Sequence, residues 1–134
     1  MIDAKRILRW TAAVVFIAAG ANHFIVPGFY RKIVPPGFPR PRVLVAVSGV
    51  CEILGGGGLL LTPLRKIAGW GLIALLIAVF PANIHMAVSP EKIPDMKFPH
   101  WALWARLPMQ FVLIAWVWFA AFAGPKTKIH EGRD

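Results

Sequence analysis

Glu52 is an acidic residue inside a long apolar segment, and the four consecutive glycines Gly55–Gly58 follow it. A carboxylate in membrane hydrocarbon costs about 2.5–3.5 kcal/mol on insertion scales, so it needs a partner, a water-filled cavity or a proton. Helical spacing of three and four residues places several residues on the face of Glu52, namely Ser48, Gly55, Gly56 and Leu59. Glycines on this face would let a neighbouring backbone or a flat ligand approach closely.

The other three apolar segments carry polar side chains that could meet Glu52: His23 in the first, Asn83 and His85 in the third, Arg106 and Gln110 in the fourth. At about 1.5 Å per residue, helices of alternating direction place these groups in the same half of a membrane. Arg106 is the expected counter-ion of Glu52, because its planar fork can hold a carboxylate bidentately, with Gln110 or Asn83 completing the hydrogen bonds. His23 and His85 could exchange protons at neutral pH.

Two interpretations of this cluster stay open. The polar groups could be structural, as a buried ion pair and amide hydrogen bonds that fix the helix register. Alternatively they form a ligand-binding or proton-transfer site, since intramembrane ionisable groups are functional candidates by default. Glu52 and Arg106 are the first candidates, followed by His23 and Asn83, whereas His85 and Gln110 could be packing partners only. His23, His85 and Glu52 are conceivable metal ligands, but no HxxxH or ExxH pair supports such a site, so no metal site is predicted.

The elements that must position these residues are long apolar helices. Hydrophobic residues make up 57% of the 134 residues and charged residues 16%, with a mean hydropathy of +0.63, which excludes an ordinary soluble domain. Charges and prolines divide the chain into four stretches, each long enough for a hydrocarbon core of about 30 Å. We predict a single all-α transmembrane domain over residues 1–134, with helices at about 7–26, 43–61, 67–88 and 101–123 and a mobile tail at 125–134.

The segment between helices 1 and 2 is rich in prolines and basic residues: Pro35, Pro36, Pro39 and Pro41 with Arg31, Lys32 and Arg40. This density of proline forbids a continuous helix. Phe29, Tyr30 and Phe38 suit a proline-rich loop at headgroup depth, or a short re-entrant segment. Such a loop could cap the bundle or be a plain connector.

The charge distribution bears on partners and orientation. The net charge is +9, but the basic residues cluster at the ends of apolar runs, which points to anionic membrane lipids rather than nucleic acid. Eight Lys and Arg lie on the side of the termini and six on the other, leaving out Arg106, so both termini are expected in the cytoplasm. Cys51 is the only cysteine and is expected to be a small packing residue.

Helix 3 carries a row of small residues, Gly71, Ala74, Ala78 and Ala82. Small residues at this spacing are typical of helix–helix packing in membranes. The row could serve inside the bundle or in a homo-oligomer.

Several motifs together resemble the DoxX family of small four-helix membrane proteins: Gly20-Ala-Asn-His23-Phe, Ser48-Gly-Val-Cys-Glu52-Ile-Leu-Gly-Gly, Phe80-Pro-Ala-Asn83-Ile-His-Met-Ala and Arg106-Leu-Pro-Met-Gln110. The resemblance covers nearly the whole chain and implies a multi-pass protein of the cytoplasmic (inner) membrane of a bacterium or archaeon. It also implies a link to redox chemistry, since the family takes its name from a subunit of a thiosulfate:quinone oxidoreductase. Other relatives are associated with oxidative-stress complexes or with assembly of membrane proteins.

Three functions follow as hypotheses. In the first, the chain is a membrane subunit of a redox system that binds a quinone or similar lipophilic molecule and works with a partner redox or membrane protein. Arg106 or Asn83 would hydrogen-bond a carbonyl oxygen, and Glu52 or a histidine would supply or take the proton. Because no autonomous catalytic motif occurs, the chain would be at most a subunit of a quinone-linked oxidoreductase. The second is a non-catalytic scaffold or assembly factor, and the third a small-molecule or proton conduit.

Overall fold

A computed structural model describes residues 3–123 of the chain, and they are organised by helices. The α-helices are α1 (Ala4–Ile25), α2 (Pro27–Ile33), α3 (Pro41–Leu60), α4 (Arg65–Val88) and α5 (His100–Phe122), with short 3₁₀ turns at Thr62–Leu64 and Pro90–Lys92. No strand occurs within residues 3–123. The predicted all-α fold class is confirmed at this level.

Four of these helices, α1, α3, α4 and α5, are long and apolar enough to cross a membrane. Their bounds lie close to the predicted ones, and the largest difference is at the start of α1, predicted at residue 7 and found at Ala4. The tail predicted to be mobile, residues 125–134, lies outside the described residues.

The segment after α1 differs from the predicted loop, because its first part is helical. The chain leaves α1 at Val26, and Pro27 is the first residue of α2. Proline is tolerated there because the first helical position has no intrahelical partner for an N–H. The helix ends at Ile33, just before Val34 and the proline pair Pro35-Pro36, and residues 34–40 have no regular helix.

The four long helices form a closed ring in the order α1, α3, α4, α5, in which each packs against two neighbours. Glycines allow the backbones of α1 and α3 to approach closely. A Cβ atom added at Gly20 would lie 2.6 Å from the carbonyl oxygen of Gly49, and one at Gly56 would lie 2.9 Å from that of Ala13. The glycine face of α3 is therefore occupied by a neighbouring backbone rather than left open for a flat ligand.

Two apolar clusters lie at opposite ends of the ring. The first is at the end that carries the chain termini and includes Ala12, Phe16, Leu59, Leu72, Leu76 and Val117. The second is at the end that carries α2, called here the α2 end, and comprises Ile33, Met86, Ala87, Ile93 and Leu103. Along α4 and α5, the candidates Asn83, His85, Arg106 and Gln110 fall between residues of these two clusters. The fold thus places a polar layer between apolar ones.

Three of the four small residues in the row on α4 do not pack inside this ring, whereas Ala82 lines its central cavity. Gly71, Ala74 and Ala78 are exposed and only Ala82 is half-buried, and a Cβ atom at Gly71 would meet nothing within 4 Å. Cys51, expected to be a small packing residue, is also exposed. Asn83, by contrast, is rotated from this row and buried.

Candidate functional site

A cavity of about 240 Å³ lies between the four long helices. Its apolar wall includes Phe16, Leu76, Val79 and Leu113, and its polar wall consists of His23, Tyr30, Ser48, Glu52, Asn83, Arg106 and Gln110. The structure therefore brings five of the six predicted site residues to one cavity. His85 is the exception: it is half-buried and does not line the cavity.

Glu52 contacts His23 across the α1–α3 interface. The Nε2 atom of His23 lies 3.3 Å from Oε2 of Glu52, and the two side chains are 10% and 13% exposed. The other ring nitrogen, Nδ1, lies 3.1 Å from the carbonyl oxygen of Val45. A carbonyl only accepts, so Nδ1 carries the hydrogen, and Nε2 of a neutral ring then has none to donate to Glu52.

Glu52 therefore needs an additional proton or an additional donor. Its Oε2 atom is buried and has no hydrogen-bond partner among residues 3–123, although Nε2 of His23 lies 3.3 Å away. A buried acceptor without a donor costs about 1–3 kcal/mol, and more if charged. One added proton would allow His23 and Glu52 to share a hydrogen bond, and a ligand with a donor group would serve the same purpose.

Arg106 is not the counter-ion of Glu52, contrary to the expectation from the sequence. Both residues line the cavity, but Glu52 has its ion-pair contact with His23. The reason lies in the ring order, because α5 is diagonal to α3 whereas α1 is next to it. Within residues 3–123, Arg106 makes no hydrogen bond and no ion pair. The cavity thus has a guanidinium without an acceptor on one wall and a carboxyl oxygen without a donor on another.

Asn83 and Gln110 bind each other instead of supporting Arg106. Asn83 Nδ2 donates to Gln110 Oε1 at 2.8 Å, and Gln110 Nε2 donates to the Leu76 carbonyl at 2.6 Å. Both side chains are buried. These two hydrogen bonds form an amide chain that joins α4 to α5. Such a chain fits the interpretation in which the polar groups are structural and fix the helix register.

Tyr30 and Ser48 also line the cavity, although neither was predicted as a site residue. The Tyr30 ring lies 4.0 Å from that of His23, centroid to centroid, and its hydroxyl accepts a hydrogen bond from Asn22 at 2.9 Å. Ile33 and Val34 line the same cavity, so α2 and the residue after it cover one side. The signal in the sequence was the aromatic pair Phe29-Tyr30, which was interpreted only as interfacial.

The arrangement can bind a small molecule and can move a proton. Within residues 3–123, no three His, Cys, Asp or Glu side chains come together in a way that could hold a metal ion. Arg106 offers up to five N–H donors, and Glu52 with His23 offers a site for one exchangeable proton. Fold and site together define an all-helical protein with four helices of membrane-spanning length around a buried polar cavity.

The chain belongs to a family defined by a domain of unknown function, DUF8561, whose sequence model matches residues 12–121. This range includes every residue that lines the cavity. No curated protein and no solved structure matches the chain. The family match does not link the chain to DoxX, so that resemblance stays a prediction.

Proposed function

We propose that this protein is a small membrane subunit that binds the polar head of a quinone-like lipophilic molecule in the cavity between its long helices. The observation that carries the proposal is the pair of unsatisfied groups on the walls of one cavity. Glu52 Oε2 is buried without a hydrogen-bond donor, and Arg106 lines the same cavity without an acceptor among residues 3–123. A ligand that accepts from one and donates to the other would satisfy both.

The size of the cavity limits what would enter it. Pockets for drug-sized ligands measure about 300–1,000 Å³, and this cavity measures about 240 Å³. It would therefore take a single ring with its oxygen atoms, while an isoprenoid or alkyl tail remains among lipid chains. Phe16, Val79 and Leu113 supply apolar wall for the ring.

The polar groups suit the two oxygen atoms of such a ring. Arg106 would donate to one carbonyl oxygen, and Glu52 in its protonated form would donate to the other. Reduction of a quinone to a quinol consumes two electrons and two protons. Glu52 and His23 would pass one proton to the oxygen that Glu52 contacts, and water would supply the second proton to the oxygen held by Arg106. The two electrons would come from a partner redox protein, because the chain has no cysteine pair.

The proposal also includes a role in a redox system and a location in the cytoplasmic membrane. These two parts rest on the resemblance to DoxX and on the distribution of Lys and Arg. Four apolar helices support a multi-pass membrane protein. The resemblance supports the cytoplasmic membrane, and the excess of Lys and Arg on the terminal side supports cytoplasmic termini.

Titration with a short-chain ubiquinone analogue in neutral detergent would test this function. The melting temperature of the parent protein is expected to rise saturably, and the rise should be lost in Glu52→Gln/Arg106→Gln. The matched control is Glu91→Gln/Lys97→Gln, which removes the same two charges from exposed positions near the α2 end. A parent without a saturable rise, or equal rises in the parent and the site variant, would rule the proposal out.

A scaffold or assembly factor is the second candidate, and the amide chain from Asn83 through Gln110 to the Leu76 carbonyl favours it. These groups already satisfy one another between α4 and α5, as purely structural groups would. If the whole cluster is structural, Glu52→Gln should lower stability and association with a partner together. A Glu52→Gln protein that stays stable and associates fully would argue against the scaffold.

A further inference from the structure

A second cavity, of about 680 Å³, lies outside the ring at the α2 end. It is bounded by α2 and by the first turn of α3, and four of its lining residues are basic: Arg31, Lys32, Arg40 and Arg42. Within the described part of the chain, no acidic residue lines it. This basic groove has the charge of an anion-binding surface.

Three of the four cations lack a close acidic partner. Lys32 Nζ lies 3.4 Å from the exposed carboxylate of Asp95, but Arg31 makes only a long hydrogen bond, 3.4 Å, to the Pro27 carbonyl. Arg40 and Arg42 make no hydrogen bond or ion pair through their side chains within residues 3–123. Their guanidinium groups are free to bind an added anion.

Two arginines at the terminal end, Arg9 and Arg65, have structural contacts instead. Arg9 Nε donates to the Ala120 carbonyl at 3.0 Å, and Arg65 Nε donates to the Leu59 carbonyl at 3.0 Å. Both satisfy carbonyls in the last turns of helices, which is a structural use of arginine. Arg40 and Arg42 have no such contact within residues 3–123, and the groove is distinguished by bringing four basic residues together.

The backbone of Arg40 has a positive φ. Arg40 has φ 48° and ψ 67° directly before α3, a left-handed conformation that costs a residue with a side chain about 1–2 kcal/mol. The only other residue of this kind within residues 3–123 is Asp95, with φ 57°, the partner of Lys32. Both lie in the connections at the α2 end.

An apolar cavity of about 220 Å³ continues from the basic groove along α1 and α3. The two cavities share Arg31 and Arg42, and the second extends past Phe24, Val45 and Ala46. When the long helices span a bilayer, the groove lies at headgroup level, because α1 ends at Ile25 and α3 begins at Pro41. A soluble anion would use only the basic part, whereas a phospholipid would use both.

We propose that the basic groove binds the phosphate of an anionic phospholipid, with one acyl chain in the adjoining apolar cavity. Arg31 and Arg42 hold the phosphate from the two helices, since guanidinium forks bind phosphate oxygens bidentately, and Arg40 adds charge at the rim. The apolar cavity borders the cavity of the proposed function at His23 and Val45. The phosphate site itself is separate, because none of Glu52, Arg106 and His23 lines the basic groove.

Native mass spectrometry of the full chain in neutral detergent tests this site. Phosphatidylglycerol and phosphatidylcholine with identical acyl chains are added in equal amounts, and the number of retained lipids is counted. The parent is expected to retain one phosphatidylglycerol in preference to phosphatidylcholine. Arg31→Gln/Arg42→Gln should lose about tenfold in that retention. The matched control Lys92→Gln/Lys97→Gln, with the same loss of charge at the same end, should not change it.

Two further measurements keep the proposal falsifiable. Arg31→Lys/Arg42→Lys keeps both charges and should recover part of the retention, which also shows that the groove still folds after substitution. Inorganic phosphate alone should not raise the melting temperature as phosphatidylglycerol does. Equal retention in the glutamine variant and its control, no preference over phosphatidylcholine, or equal stabilisation by inorganic phosphate would overturn the lipid assignment.

Discussion

Glu52 and its neighbours show what residue types can predict about a site: which residues lie together, but not which of them pair. Residue type and depth predict that six polar residues share one region. Five of them line one cavity, namely His23, Glu52, Asn83, Arg106 and Gln110, whereas His85 does not. The pairing was wrong, because opposite charge suggested Glu52 with Arg106 and the structure places Glu52 beside His23. Pairing depends on which helices are adjacent, and residue types carry no information about that.

The amide chain between α4 and α5 gives a prediction at the residue scale. Asn83→Leu and Gln110→Met should each lower the free energy of unfolding by about 1–2 kcal/mol, because each leaves a buried polar group without its partner. The double variant should lose less than the two single losses together, with a coupling of about 0.5–1.5 kcal/mol. Unfolding in mixed micelles with increasing denaturing detergent would measure both.

Asn22→Leu is the matched control for this cycle. Asn22 also has a side-chain hydrogen bond, to Tyr30, but it is exposed, so the loss should be below about 0.5 kcal/mol. Strictly additive losses for Asn83 and Gln110 would mean that their hydrogen bond contributes nothing to stability.

At the scale of elements, apolar length and proline positions located the four long helices to within a few residues. They did not reveal α2, because a proline that ends one helix can equally begin the next, and Pro27 does so. The sequence also did not show whether the glycines of α3 contact a ligand or the backbone of a neighbouring helix. In the structure, two of these glycines lie at helix–helix contacts: Gly56 faces the backbone of α1, and Gly55 faces the side chain of Leu72 on α4.

Two adjacent glycines of α3 provide a prediction with a built-in control. A Cβ atom at Gly56 would lie 2.9 Å from the Ala13 carbonyl oxygen, whereas one at Gly57 would meet nothing within 4 Å. Gly56→Ala should therefore cost about 1–3 kcal/mol of unfolding free energy, since backbone must move to admit the methyl group. Gly57→Ala should be neutral or stabilise by up to about 1 kcal/mol through helix propensity. Equal effects at the two positions would contradict the close packing of α1 and α3.

For the whole molecule, composition was enough to predict an all-helical chain with four helices of membrane-spanning length, and the structure agrees. The order in which those helices pack around the ring could not be predicted from the sequence. Their apolar surfaces are alike, and the connecting loops are compatible with several arrangements. The ring order explains why three of the four small residues in the row on α4 remain outside the bundle, with Ala74 and Ala78 exposed. It also explains why one polar cavity lies at the centre, with an apolar cluster at either end.

The central claim is that this cavity is a ligand site and not only a set of structural contacts. The most direct test is native mass spectrometry of the protein released from its own membrane, beside Glu52→Gln/Arg106→Gln and the surface control Glu91→Gln/Lys97→Gln. We predict that the parent and the surface control carry a bound mass of quinone size, and that the site variant has lost it while remaining folded. A folded parent that carries no such mass, or a site variant that retains it, would contradict the claim.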